Sequence, residues 1–215
     1  GAPLAPAFHK AFFQTSRETR IILNIGGISN VTVLPSDPEK PVIGFDTGPG
    51  NGLLDAWIQK YSGKEYDDNG DWAKSGQVDT SLLGKLLNDP FFNFPPPKST
   101  GKEYFNLTWL EKTCPEVTKL SPADIQSTLL QLSAESIALA IRDYASEAEK
   151  VFICGGGAHN TTLLTQLDKA LPIPVATTEE LGTHPDWMEA MAFAWLGWRT
   201  INHLSGNLPA VTGAQ

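Results

Sequence analysis

Cysteine is scarce: Cys114 and Cys154 are the only two among 215 residues. Both stand in apolar or turn surroundings, which is the usage of a reduced cytosolic protein rather than of a disulfide framework. No zinc site can be assembled from them. Positive charge is scarce too. Sixteen Lys and Arg face twenty-four Asp and Glu for a net charge of −8, and no two basic residues are adjacent. That balance argues against nucleic acid as a partner, because a phosphate-tracking surface needs clustered cations. Long hydrophobic runs are missing, the longest falling far short of the roughly 20 residues that a membrane span requires. No membrane partner and no signal peptide are expected. Internal repeats, low-complexity tracts and an initiator Met are absent as well. What remains is ordinary globular composition, 41% hydrophobic and 19% charged. The length suits one large domain, or a domain carrying an insertion, with core enough to fold without a staple.

Arg20-Ile-Ile-Leu-Asn-Ile-Gly26 is a β-branched apolar run that stops at Gly26-Gly27, and Asn30-Val-Thr-Val-Leu34 alternates until Pro35. These predict two hairpin-connected strands. Val42-Ile-Gly-Phe-Asp46 predicts a third strand, ended by Asp46 before the turn Thr47-Gly48-Pro49-Gly50. Leu53, Leu54, Trp57 and Ile58 recur at helical spacing within residues 51–61. Residues 62–120 show no sustained period and read as a mostly irregular or short-helical insertion. Ser121-Pro122-Ala123-Asp124 then offers an N-cap hydroxyl, a proline for the first helical position and a first-turn acid. A helix is predicted from there to about residue 148. A buried strand over 151–154, a helix over 161–171, a weak strand over 174–177 and an amphipathic helix over 185–204 complete the chain. Three meander strands followed by alternating helix and strand is the pattern of a ribonuclease-H-like α/β domain, with a mixed sheet covered on both faces.

Several residues could carry chemistry. Gly26 and Gly27 lie in the first hairpin turn, where missing β-carbons let backbone N–H groups approach an anion; Asn30 follows. Taken alone, the same glycines make a plain tight turn. Asp46 should emerge at a sheet edge, where a carboxylate can act as a base, hold a metal or merely cap a turn. Pro49 removes an N–H from the following loop, which favours the base over a phosphate cradle. Asp55, one turn into the helix, reads as a solvated acid balancing the helix dipole. Asp46-Thr47-Gly48 also matches the aspartic-protease triplet, yet only one copy occurs and the order of elements is α/β rather than all-β. Gly155, Gly156 and Gly157 follow a strand and open a helix, as in a nucleotide-binding turn. Asn160 stands where a dinucleotide fingerprint needs its last glycine, so a face for adenosine fits better than a Rossmann site. His159 reads as a polar loop residue. Glu189, in the first turn of the last helix, can accept hydroxyl hydrogen bonds or simply balance the dipole. Lys98-Ser-Thr-Gly-Lys102 puts hydroxyls and two ammonium groups on a flexible loop without Walker spacing.

Taken together, an ordered set of motifs resembles the bacterial anhydro-N-acetylmuramic acid kinases. The set comprises Gly1-Ala-Pro-Leu-Ala-Pro-Ala-Phe-His9, Leu23-Asn-Ile-Gly-Gly-Ile-Ser-Asn30, Gly44-Phe-Asp-Thr-Gly-Pro-Gly-Asn51, Asp55-Ala-Trp57, Pro97-Lys-Ser-Thr-Gly101 and Phe105-Asn106. It continues with Cys154-Gly-Gly-Gly-Ala158, Met188-Glu-Ala-Met-Ala-Phe-Ala-Trp195 and Gly206-Asn-Leu-Pro-Ala-Val-Thr-Gly213. The resemblance implies the sugar-kinase, heat-shock-protein and actin superfamily, whose two ribonuclease-H-like lobes close over ATP. This chain resembles the second lobe only, so an N-terminal lobe of the same protein is the expected partner, and a homodimer is compatible. The implied reaction opens the 1,6-anhydro ring of anhydro-N-acetylmuramic acid with water and phosphorylates the 6-oxygen from ATP, in cell-wall recycling. By the matched motifs Asp46 would be the base and Gly26, Gly27 and Asn30 would meet the ATP phosphates. Gly155, Gly156, Gly157 and Asn160 would meet adenosine, and Glu189 the sugar hydroxyls. Mg²⁺ is expected with the phosphates. Two rival readings stand beside it: a nucleotide- or sugar-binding module without activity, and another sugar kinase of the same superfamily.

Overall fold

The structure, a computed structural model, describes residues 4–212. Gly1 to Pro3 and Gly213 of the two terminal motifs lie outside them.

Alternation along the strands decides the sheet. In β1 (Arg20–Ile25), Ile21, Leu23 and Ile25 face one side and Ile22 the other, and all four are buried. A strand apolar on both faces belongs in the middle. β2 (Ile28–Leu34) folds back antiparallel on it, and β3 (Ile43–Pro49) pairs antiparallel with β2. On the other side β4 (Lys150–Cys154) and β5 (Val175–Thr177) add in parallel, for the order β3-β2-β1-β4-β5. The mixed sheet is the one expected. β3 runs past Asp46 to Pro49, however, so Asp46 lies inside the strand rather than at its end. The buried Ser29 and Thr47 hydroxyls, 2.9 Å apart, hold the pairing together beyond a register shift at Ser29/Asn30.

One face carries the larger core. Leu53, Leu54 and Trp57 of α2 (Gly52–Ser62) pack there against Ile21, Leu23 and Ile25. So do α3 (Asp71–Ser75), α4 (Thr80–Leu87), α5 (Pro90–Asn93) and α6 (Leu107–Thr113), which are the short helices of the insertion. The long helix α7 (Pro122–Tyr144) buries Ile125, Leu129, Leu132 and Ile137 on the same side. Pro122 and Asp124 start it as read, but the Ser121 side chain makes no cap bond, and α7 stops at Tyr144, four residues short of 148. α8 (Thr161–Ala170) completes this layer through Leu163 and Leu167.

The opposite face is covered more thinly. α1 (Ala5–Phe13), which periodicity did not reveal, lays Phe8 and Phe13 on Ile22, Leu34, Val42 and Phe152. Pro6 in its first turn and an uninterrupted run to Phe13 explain why it forms. His9 is fastened to the sheet by a 2.8 Å hydrogen bond between its Nδ1 and the Thr32 hydroxyl. Beside α1, α9 (Met188–Ile201) buries Met188 alone and packs Met191 and Trp195 on this cluster. The short α10 (Pro209–Thr212) lies against β3. Among the described residues no helix is long and apolar enough to cross a membrane.

Candidate functional site

Sheet register gathers the polar residues. Asp46 of β3 stands opposite Asn30 of β2, Asn30 opposite Asn24 of β1, and Asn24 opposite Cys154 of β4. Residues in register share a face, so these four form a polar row across four strands on the thinly covered side. The Cys154 thiol reaches the Asn24 Oδ1 at 3.8 Å, and burial pushes that thiol up to about 12, which leaves it protonated and inert. Ala5 and His9 of α1 and Met188, Glu189 and Ala192 of α9 line a cavity together with Asn24, Asn30 and Cys154 of the row.

Three cavities adjoin one another here, two of them lined by residues of the row. The smallest, about 230 Å³, is lined by Asp46, Asn30, Lys98 and Ser99. Asn30 is shared with a cavity of about 470 Å³, which takes in Gly26, Gly27, Gly155, Gly156, Asn24 and Glu189. Gly156 in turn is shared with one of about 610 Å³, lined by Asn160, His159, Asp55 and Asp67. Asp46, Gly26, Gly27, Asn30, Gly155, Gly156, Asn160 and Glu189 thus line three adjoining cavities. Gly157 does not. A β-carbon there would stand 2.4 Å from that of Ile25, so it serves helix-to-sheet packing.

Asp46 is the most constrained of these groups. It is 5% exposed, and burial pushes its carboxyl above the usual carboxylate range; the Thr100 N–H and the Ser99 hydroxyl partly oppose that rise. Both donors, each at 2.9 Å, land on Oδ2. Oδ1 accepts no hydrogen bond among the described residues and remains available to a proton. The backbone N–H of Asp46 donates to the Lys98 carbonyl at 3.1 Å. Lys98 itself is anchored, donating to the Phe91 and Phe92 carbonyls and lying 4.8 Å from the Phe91 ring centre. The expected flexible loop is therefore pinned at both ends of its Lys98-Ser99-Thr100 segment.

The glycine turns have distinct duties. The Gly26 carbonyl accepts from the Asn51 N–H at 2.8 Å, and the Gly27 carbonyl from those of Gly50 and Gly52 at 3.0 Å. These bonds consume the amides of the loop after Pro49 and dock the hairpin on the start of α2, so that loop is no phosphate cradle. Gly155 has φ +78°, and a β-carbon on it would meet the Asn24 Oδ1 at 2.5 Å, so glycine is required on both counts. Asn160 caps α8 through a 2.9 Å bond from the Leu163 N–H. Glu189 is exposed on the first turn of α9. His159 is exposed as read, 2.8 Å from Asp186.

Asp55 overturns its reading as a solvated acid. It is half-buried, and burial pushes its carboxyl up to about 6 against the pull of Lys102, with Asp67 adding to the rise. Asn24 was missed as well. Its signal was a polar side chain inside an otherwise apolar strand. Among the described residues no three metal-ligating side chains cluster.

The family model for anhydro-N-acetylmuramic acid kinase matches residues 1–215. Curated proteins of that name from Coxiella burnetii and Pasteurella multocida are 54% and 51% identical over 217 residues. All of this chain is covered, against 58% and 57% of those proteins. The chain therefore spans less than two thirds of its relatives' length. Among solved structures, an activator of 2-hydroxyisocaproyl-CoA dehydratase from Clostridium difficile, with bound ADPNP, superposes with a TM-score of 0.56 at 14% identity, covering 94% of this chain and 66% of that one. A xylulose kinase from Rhodospirillum rubrum gives 0.50 at 14% identity, covering 89% and 41%. At such identities the likeness is one of fold alone, the mixed α/β sheet with helices on both faces that the order of elements predicted.

Proposed function

The chain belongs to the anhydro-N-acetylmuramic acid kinase family, and from that premise we propose that the protein opens the 1,6-anhydro ring of anhydro-N-acetylmuramic acid with water and phosphorylates the released 6-oxygen from ATP. Asp46 takes a proton from water on its free Oδ1, and the water oxygen bonds to the anomeric carbon. The bond from that carbon to the 6-oxygen breaks, and this oxygen receives the γ-phosphoryl group, giving N-acetylmuramic acid 6-phosphate and ADP. A glycosidase needs a second carboxyl to protonate its leaving oxygen, whereas here phosphoryl capture does that work.

The observation that carries the reading is the setting of Asp46: a buried carboxyl with a raised pKa, gripped on one oxygen only, in a cavity that shares Asn30 with the one lined by the glycine turns. A raised pKa makes the carboxylate a stronger base. Gly26, Gly27 and Asn30 then receive the phosphates. Gly155, Gly156 and Asn160 form the adenosine face, with Gly157 supporting it from behind. Glu189 accepts hydrogen bonds from sugar hydroxyls. Mg²⁺ would arrive with the nucleotide, its ligands mostly phosphate oxygens and water. We assign the remaining length of the relatives to an N-terminal lobe that completes the phosphate clamp, and the setting to cytoplasmic recycling of cell-wall sugar. A homodimer is compatible with this scheme. ADP release by the full-length protein, assayed with anhydro-N-acetylmuramic acid, tests it. Equal release with a free hexose and without consumption of the anhydro sugar would favour an ordinary sugar kinase, and nucleotide binding without turnover a binding module.

A further inference from the structure

Lys102 is the cation at the end of the Lys98–Lys102 loop. It is exposed, and no hydrogen bond or ion pair of its side chain occurs among the described residues. Yet the side chain is not splayed into solvent. It lies across the first glycine turn, where a β-carbon at Gly27 would stand 2.0 Å from its Cε and 2.9 Å from its Nζ. The bare α-carbon of Gly27 is what admits the ammonium there. Charge around the turn is otherwise negative or neutral: Asp186 and Glu189 line the cavity that contains Gly27, Asp55, Asp67 and Asp68 line its neighbour, and neither lining includes a Lys or Arg. A polyphosphate entering such a site needs a cation, and Lys102 brings one to the turn. Asp55 already senses it, since Lys102 is what opposes the rise of the Asp55 carboxyl.

We propose that Lys102 pairs with the β- and γ-phosphates of the nucleotide at the Gly26-Gly27 turn. The proposal rests on the kinase reading and adds to it a phosphate ligand supplied by the insertion. It also links two parts of the site. Ser99 and Thr100, which hold Asp46 on Oδ2, lie three and two residues before Lys102. A phosphate that captures Lys102 therefore steadies the segment that aims the base. Lysine suits this position as a compact charge on a flexible stem.

Calorimetric titration of the full-length protein with ATP, ADP and AMP, for wild type, Lys102→Met and Lys102→Arg, tests it. Lys102→Met should weaken ATP and ADP binding about tenfold or more, as loss of a charged hydrogen bond does. AMP affinity should stay within about twofold, and Lys102→Arg should retain most of the ATP affinity. The melting temperature should not move, because the side chain is exposed and unpaired. If Lys102→Met binds ATP as wild type does, or loses ATP and AMP equally, the proposal is wrong while the kinase reading stands. A wild-type protein that binds none of the three nucleotides overturns both.

Discussion

At the scale of single residues, the two carboxylates of the proposed mechanism sit in opposite settings. Asp46 is buried and raised, and Glu189 is exposed on a helix start whose other inward positions are apolar. Because Asp46 must be ionised to accept a proton, kcat/KM should fall as pH drops through its raised pKa. The acid limb should therefore lie above that of an ordinary carboxylate. Burial of the charge also has a stability sign. A folded pKa above the unfolded value means stability present at low pH and lost as pH rises through the folded pKa. Asp46→Asn should therefore leave the melting temperature at neutral pH unchanged or higher. Glu189→Gln keeps shape while weakening the acceptor, so it should raise the sugar KM or lower kcat/KM by the equivalent of about 1.5–3 kcal/mol, with little change in melting temperature. Unchanged sugar kinetics with a lowered melting temperature would return Glu189 to the role of helix-dipole partner. Some of this was legible in the sequence. Asp46 and Glu189 stood out as acids beside a glycine-rich turn and at a helix start. Asp55 misled, because its surroundings are made by Asp67 and Lys102 from a remote insertion, and no local pattern reports such burial.

At the scale of elements, the insertion is the part whose role the sequence concealed. Aperiodic, polar and aromatic, it read as irregular, and its Lys98–Lys102 loop as flexible. In the structure Phe91, Phe92 and Phe105 join the main core, and Lys98 is tied to the Phe91 and Phe92 carbonyls. Packing between distant segments fixes this loop, which is why periodicity could not show it. The strands were legible because alternation is local, whereas the row Asp46, Asn30, Asn24 and Cys154 needed register across four strands. A loop that holds the base should tune it. Ser99→Ala removes a 2.9 Å hydrogen bond that favours the ionised form of Asp46. The acid limb of kcat/KM should then shift to higher pH, while the high-pH plateau stays within a few-fold of wild type. A uniform loss of rate at every pH, with no shift, would mean that Ser99 acts only by packing.

At the scale of the molecule, the chain spans 58% of the length of its Coxiella burnetii relative. Phosphoryl transfer depends on positioning the phosphate from all sides. The 215-residue chain by itself should therefore show no appreciable ADP release with anhydro-N-acetylmuramic acid, and ordinary turnover by it would mean that one lobe suffices. The most direct test of the account is Asp46→Asn in the full-length protein, with ring opening and ATP affinity measured on the same preparation. Loss of a general base should lower turnover about 10²–10⁴-fold, with ATP affinity nearly intact, since the carboxylate acts on water rather than on the nucleotide. Loss of ATP binding with residual turnover still high would contradict it, and would make Asp46 a nucleotide or metal ligand instead.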